Sequence, residues 1–212
     1  TNNEDNVVVD VNSTTLNGLK GTYLVAHQRG SIVFNKLEEA LKKKYSIKFI
    51  TSELQDGVTH LTLFDASGNP VCERLIYINH SNNNAKIEIS KSRNSLKTRQ
   101  KITVNLDVKN NEELSIPSIL SMSVRDLKAV PFNPNAVNIK TWLLLNSDLR
   151  GEIKNPGYFF EKENDFRRRY LLDLVMLTNG WRRFVWNELL FEPKTAPIFP
   201  IEKGIFISGT TL

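Results

Sequence analysis

The chain holds a single cysteine, Cys72, so neither a disulfide framework nor a cysteine-based metal site can be built within it. Lying inside a strand pattern, Cys72 reads as a small buried hydrophobe. No run of about 18 apolar residues occurs, which leaves nothing to span a bilayer as a helix. The polar start TNNEDN is not a secretory signal, although a mature or excised fragment would look the same. Histidine is scarce: His27, His60 and His80 fall on different strands or loop ends without HxH or HExxH spacing, so zinc would require the fold to bring them together. A Gly-rich phosphate loop and a GxSxG elbow are also missing. These absences argue against an enzyme and against a bound cofactor.

Charge is nearly balanced. The net value is +5 and neither half of the chain is strongly basic, so no domain carries the electrostatic footprint of a nucleic-acid binder. At 212 residues, 40% hydrophobic and 24% charged, the chain can bury one large or two small cores. We expect two.

The first half is dense in β-formers. Val7 to Val11, Thr22 to His27, Ser31 to Leu37, Tyr45 to Ile50, Val58 to Phe64, Val71 to Ile78 and Lys86 to Ile89 read as strands, separated by turns such as Gln28-Arg29-Gly30 and Asp65 to Pro70. Parallel pairing would need crossovers of a dozen or more residues. Seven short strands without them predict an immunoglobulin-like antiparallel sandwich over residues 1–92. The polar segment Ser90 to Arg99 is the expected linker.

Residues 93–212 are expected to form a partial second β unit with a two-helix insertion. Its strands are Lys101 to Val108, with Ile102, Val104, Leu106 and Val108 inward, and a second through Leu120, Met122 and Val124 that Pro117 introduces. The helices fall near 138–150, with Ile139, Trp142, Leu143 and Leu149 on an apolar stripe that Leu144 and Leu145 widen, and near 164–179. The second runs from an N-cap at Asn164 through Phe166, Tyr170, Leu171, Leu174 and Leu177 to Asn179-Gly180, with Leu172, Val175 and Met176 filling its remaining faces so that its latter half reads as buried nearly all round. A last short strand is expected at Ile205 to Ser208.

The stretch Trp142 to Trp186 contains all three tryptophans and Arg167, Arg168, Arg169, Arg182 and Arg183. Three consecutive arginines fan around a helix instead of forming one phosphate-gripping stripe, and Arg169 is placed to pair with Asp173 one turn on. The arginines therefore read as lying along apolar or aromatic surface with solvated heads. Asp65 with Asn69, or Asp148 with Glu152, offers oxygen ligands for calcium, but turn and capping roles account for them.

Several stretches also carry a family resemblance. YLVAHQRGSIVF and GVTHLTLFDASGNPVCERLIYI resemble the strand, turn, strand signature of macroglobulin-type β-sandwich domains. TWLLLNSDLRGEIKNPGYFF and LLDLVMLTNGWRRFVW are similar to a segment of large Gram-negative envelope proteins, in which macroglobulin-like domains precede a carboxypeptidase-regulatory-like domain and often a TonB-dependent receptor plug or barrel. KGIFISGTTL resembles the first strand of that regulatory-like domain. The resemblance covers roughly residues 20–212 and implies an extracytoplasmic module, periplasmic or outer-membrane-associated, in a longer chain. The Cys-Gly-Glu-Gln thioester of the protease-trapping alpha-2-macroglobulin relatives is missing, because Cys72 is followed by Glu73-Arg74. A receptor plug sequence is missing too.

The expected function is then a non-enzymatic structural and protein-interaction module of an envelope protein. Its partners would be other domains of the same chain or envelope proteins, with Tyr158, Phe159, Phe160 and Trp186 as the candidate contact surface. The competing reading is carbohydrate or peptide capture on tryptophan platforms. Platforms must face solvent, and Trp142 and Trp181 are expected to be buried.

Overall fold

In KYSIKFI every second residue is large and apolar, a period that puts Tyr45, Ile47 and Phe49 on one side of a strand and Ser46 and Lys48 on the other. The computed structural model describes residues 6–80, 85–95, 97–120, 122–162, 165–179 and 186–191, and in it this stretch is strand β4 (Lys44–Ile50), with those three side chains buried. It pairs antiparallel with β1 (Asn6–Asn12), Val7 opposite Phe49. A second antiparallel sheet is built from β2 (Tyr23–Gln28), β3 (Ser31–Leu37), β5 (Gly57–Phe64) and β6 (Pro70–Ile78), in the order β3-β2-β5-β6. The two sheets bury one cluster between them, including Val7, Phe49, Leu24, Leu61 and Ile76.

The outer face of the four-stranded sheet is also apolar. Val58 and Leu75 project from it into a second cluster with Leu145, Leu149, Leu172 and Met176, supplied by a helical layer. That layer contains α1 (Ile139–Leu144), 3-10 turns at Asn146–Asp148 and Pro156–Phe160, α2 (Phe166–Thr178) and α3 (Trp186–Phe191). Every residue of β5 is therefore buried. The described residues are mostly strands in antiparallel sheets with a few short helices.

The turn between β2 and β3 places Arg29 at φ 49° and Gly30 at φ 86°, the left-handed pair that tight hairpins favour. A non-glycine residue there is strained, and its side chain supplies compensating bonds. Arg29 Nη2 donates to the carbonyl oxygens of Asp56 (3.1 Å) and Leu143 (3.2 Å). Its Nε lies 4.0 Å from Oδ2 of buried Asp148. The hairpin is thereby tied to the helical layer across β5.

Several expectations are corrected. The seventh strand, β7 (Lys86–Lys91), does not join either sheet of the sandwich but pairs with β8 (Val104–Lys109) in a separate two-stranded ribbon. The expected linker begins inside β7, and Ser92 N–H still donates to Thr103 O at 2.9 Å. The boundary drawn at 92/93 thus falls next to the ribbon's loop. Ile102, Val104 and Leu106 are exposed and only Val108 is buried, because alternation buries a face only where something lies across it. Leu120, Met122 and Val124 are likewise exposed and belong to no strand; only Ser115 bridges back, to Lys109.

The helices form where expected but turn only part of their expected apolar residues inward. In α1, Asn138 Oδ1 accepts from Thr141 N–H (3.0 Å) and Thr141 Oγ1 from Asn138 N–H (2.9 Å), a reciprocal cap. The inward side is Thr141, Leu145 and Leu149, while Ile139, Trp142 and Leu143 are exposed. In α2 the cap is Asp165, whose carboxylate accepts from Arg167 and Arg168 N–H. Its buried positions are Arg168, Leu172 and Met176, one turn apart, while Phe166, Tyr170 and Leu177 stand exposed. The helix is not buried all round. Asn179 closes it. Asn164, Gly180, Trp181, Arg182, Arg183 and the strand expected at Ile205 to Ser208 lie outside the described residues.

Gly57, at φ +116°, opens β5, and a Cβ there would stand 3.0 Å from Arg29 Nη2 and 3.3 Å from Leu144 O. Gly57→Ala is expected to lower stability by about 1–3 kcal/mol. The measurement is a fall in denaturant midpoint with an unchanged m-value; an unmoved midpoint refutes the strain at this junction.

Candidate functional site

The aromatic run Tyr158-Phe159-Phe160 is positioned by local backbone chemistry. Asn155 adopts φ 51°, and Pro156 at the first position presets the 3-10 turn that carries all three rings. All three are half-buried. Phe159 and Phe160 pack on the cluster around Val58 and Leu75, with Phe160 edge-on to Tyr77 at 6.0 Å and Lys140 Nζ 5.6 Å from its ring. Tyr158 lies beneath the Arg168 guanidinium at 4.1 Å.

Arg168 is a buried cation, 8% exposed, and is heavily paired. It reaches Glu161 at 2.7 Å and Asp165 at 3.6 Å and donates to the Tyr158 carbonyl. A buried charge requires such compensation, and this one locks the aromatic turn to α2. The expected Arg169–Asp173 pair gives way to Arg74–Asp173, in which Arg74 Nη2 reaches both carboxylate oxygens at 2.7 and 2.8 Å, which fastens α2 to β6. Arginine heads here are structural clamps.

Trp186 lies elsewhere. At 8% exposure it packs with Val25 and Phe64, its ring edge-on to Phe64 at 5.0 Å and to His27 at 5.7 Å. The structure groups Tyr158, Phe159 and Phe160 with α2 and places Trp186 in a separate cluster over β2 and β5. The four do not form one surface. Trp142, expected to be buried, is 54% exposed.

Two of the three histidines do converge. His27 and His60 sit directly opposite in the β2–β5 register, and their rings stack at 4.6 Å and 11°. His60 Nδ1 is 3.3 Å from Glu73 Oε1. Burial, assisted by His60, holds the His27 pKa down at about 4 against the opposing pull of Glu73. His27 is accordingly neutral at pH 7. Facing rings cannot aim lone pairs at one ion, and no group of three or more His, Cys, Asp or Glu among the described residues forms a metal site. His80 is a loop clasp, with Nδ1 2.7 Å from Asp56 Oδ1 and Nε2 2.9 Å from Thr51 O. The oxygens weighed as calcium ligands have other partners: Asp65 Oδ1 accepts from Ser67 and Asn69 N–H in the β5–β6 turn, and Asp148 faces Arg29.

Cys72 is exposed on β6, a correction to its expected burial. β6 is the last strand of its sheet, so its outward positions are uncovered; partial shielding still raises the thiol pKa. Cys72 lines a groove of about 1010 Å³ between β1 and β6 that α2 flanks. Sequence reasoning missed this groove. Its one sequence signal is the spacing of Phe166, Arg169 and Tyr170, which share one side of α2.

A buried neutral histidine makes stability pH-dependent. His27 has a folded-state pKa of about 4 against 6.5 for the ordinary side chain, so the unfolded chain binds more protons between those values and stability rises with pH across them. Acidification from pH 7 to 4 is expected to remove up to about 3 kcal/mol through this group. His27→Phe keeps a ring in the stack and should flatten that part of a Tm-versus-pH curve; a superimposable wild-type slope contradicts this assignment. Against protein-family models, characterised proteins and solved structures, the chain shows no match.

Proposed function

We propose that the chain is a non-enzymatic structural and protein-interaction module of a larger cell-envelope protein, associated with a TonB-dependent receptor or uptake system. Its sandwich is read as immunoglobulin-like, of macroglobulin type, in line with the two face-to-face antiparallel sheets and the sequence resemblance. The partners are other domains of the same chain or envelope proteins.

The observation that carries the reading is the amphipathic ribbon. Directly opposed residues share a face, so Ile87 with Val108 and Ile89 with Leu106 form one side of it. On the other side lie Lys86, Glu88, Asp107 and Lys109, cross-linked by Lys109–Glu88 at 2.7 Å, with Glu113 pairing to Lys86. The charged side is self-satisfied. On the apolar side Ile87 is 54% and Ile89 70% exposed. A two-stranded ribbon alone is marginal in water, and a contiguous apolar face is characteristic of an interaction surface. We read this side as built to be covered.

Trp142, exposed on α1, favours a second reading, capture of carbohydrate or peptide on an aromatic platform. It predicts saturable quenching of tryptophan fluorescence by an oligosaccharide or peptide, abolished in Trp142→Ala.

The primary reading is tested by cross-linking a tagged chain in envelope extract of the source cell beside an Ile89→Asp/Leu106→Asp variant. Wild type is expected to retain specific envelope proteins. The variant should lose at least tenfold of that signal with unchanged circular dichroism. Equal retention by both, or no retention, overturns it.

A further inference from the structure

We propose that the sandwich end formed by residues 13–21 and 38–43 adsorbs to the surface of an anionic lipid bilayer, with Leu16 and Leu41 entering the headgroup layer and the surrounding lysines meeting lipid phosphates. This surface shares no residue with the β7–β8 ribbon.

The first of these loops follows β1 and the second leads into β4, so both lie at the same end of the smaller sheet. Backbone bonds join them. Leu19 N–H donates to Lys42 O at 2.7 Å, Ser13 N–H to Lys43 O at 2.9 Å and Gly21 N–H to Glu38 O at 2.7 Å. Gly18, at φ +57°, approaches so closely that a Cβ there would collide with Lys42 O. Leu19 is 2% exposed and packs in the sandwich core, and Thr22 Oγ1 donates to its carbonyl at 2.7 Å. The two loops are one pinned unit. From it Leu16 stands 96% and Leu41 72% exposed.

Lys20, Lys42, Lys43 and Lys44 are exposed around the two leucines. Residues 13–21 and 36–44 hold five lysines and two glutamates, a net charge of +3. Glu38 is buried and shared between Lys36 at 3.6 Å and Lys42 at 3.7 Å, which leaves Glu39 as the exposed acid of the pair. Asp65, in the neighbouring β5–β6 turn, is held by the Ser67 and Asn69 amides. Protruding apolar side chains among lysines suit a bilayer interface, where the apolar groups sink below the phosphates and the lysine stems reach back to them. Protein interfaces, in contrast, are depleted of lysine. Each lysine within a Debye length of an anionic bilayer strengthens adsorption by about fivefold.

The test is co-sedimentation of the full chain with vesicles of phosphatidylcholine alone or of equal parts phosphatidylcholine and phosphatidylglycerol. Binding to the anionic vesicles should be at least tenfold stronger and should fall steeply as salt is raised. Lys20→Glu/Lys43→Glu should abolish that preference, and Leu16→Ser/Leu41→Ser should weaken binding at least fivefold, both with unchanged circular dichroism. In Leu41→Trp, anionic vesicles should move tryptophan emission further to the blue than in the parent chain. Equal binding to neutral vesicles, binding to neither, or indifference to the charge reversal or to the serine pair overturns the proposal. So does retention on heparin without vesicle binding, which would assign the lysines to a soluble acidic polymer. Loss of vesicle binding in Ile89→Asp/Leu106→Asp would assign it to the ribbon and overturn the proposal as well.

Discussion

The two-sided burial of β5 is the constraint from which the architecture follows. A strand buried on both faces needs a layer above and a layer below, and all eight residues of GVTHLTLF are buried. One layer is the β1–β4 pair, whose polar faces turn to water. The other is helical and begins at Ile139, after all of the described strands. Because apolar burial is the dominant favourable contribution to folding, the four-stranded sheet depends on both covers. The polar residues fit the same logic: on the second face His27 and His60 stack under Trp186, and on the first Gln28 bonds both to Gln55 O and to Thr59 Oγ1.

Directional contacts then fix where the helical layer sits. Apolar packing alone tolerates sliding, whereas the Arg29 bonds to Asp56 and Leu143, the Arg74–Asp173 ion pair and the Arg168 network each specify one placement. Planar guanidinium groups suit this work because they bind carboxylates and carbonyls in fixed directions and lie flat on rings. The chemistry-bearing side chains are largely engaged in such placement. Among the described residues the ribbon leaves one paired apolar face uncovered, and the interaction reading grows from it.

Much of the sandwich was legible because its signals are local. Alternation marked β4 and β5, a dense run of β-branched residues marked β1, and Arg29-Gly30 and Asp65 to Pro70 marked the turns of the β2–β3 and β5–β6 hairpins. Pairing partners were not legible, since strand-forming residues do not encode which edge they meet; Lys86 to Ile89 could equally have closed the sandwich or joined β8. The inward side of α2 was hidden because LLDLVML is apolar at nearly every phase of the helix. Acidic Glu161 and Asp165 just upstream made Arg168 an inward residue, while Phe166 and Tyr170 were left outside. The His27–His60 stack depended on register between strands that β3 and β4 separate in the chain, which residue spacing cannot reveal.

The distance along the chain between partners bears on how the molecule is made. Arg29 meets Leu143 across 114 positions and Arg74 meets Asp173 across 99. Contacts of such sequence separation close slowly, after the entropy of long loops has been lost. During vectorial synthesis or export the four-stranded sheet must wait, its outer face still bare, until residues 139–191 emerge. Until then that face is a target for chaperones and for aggregation, and a chain stopped before residue 139 would present it permanently.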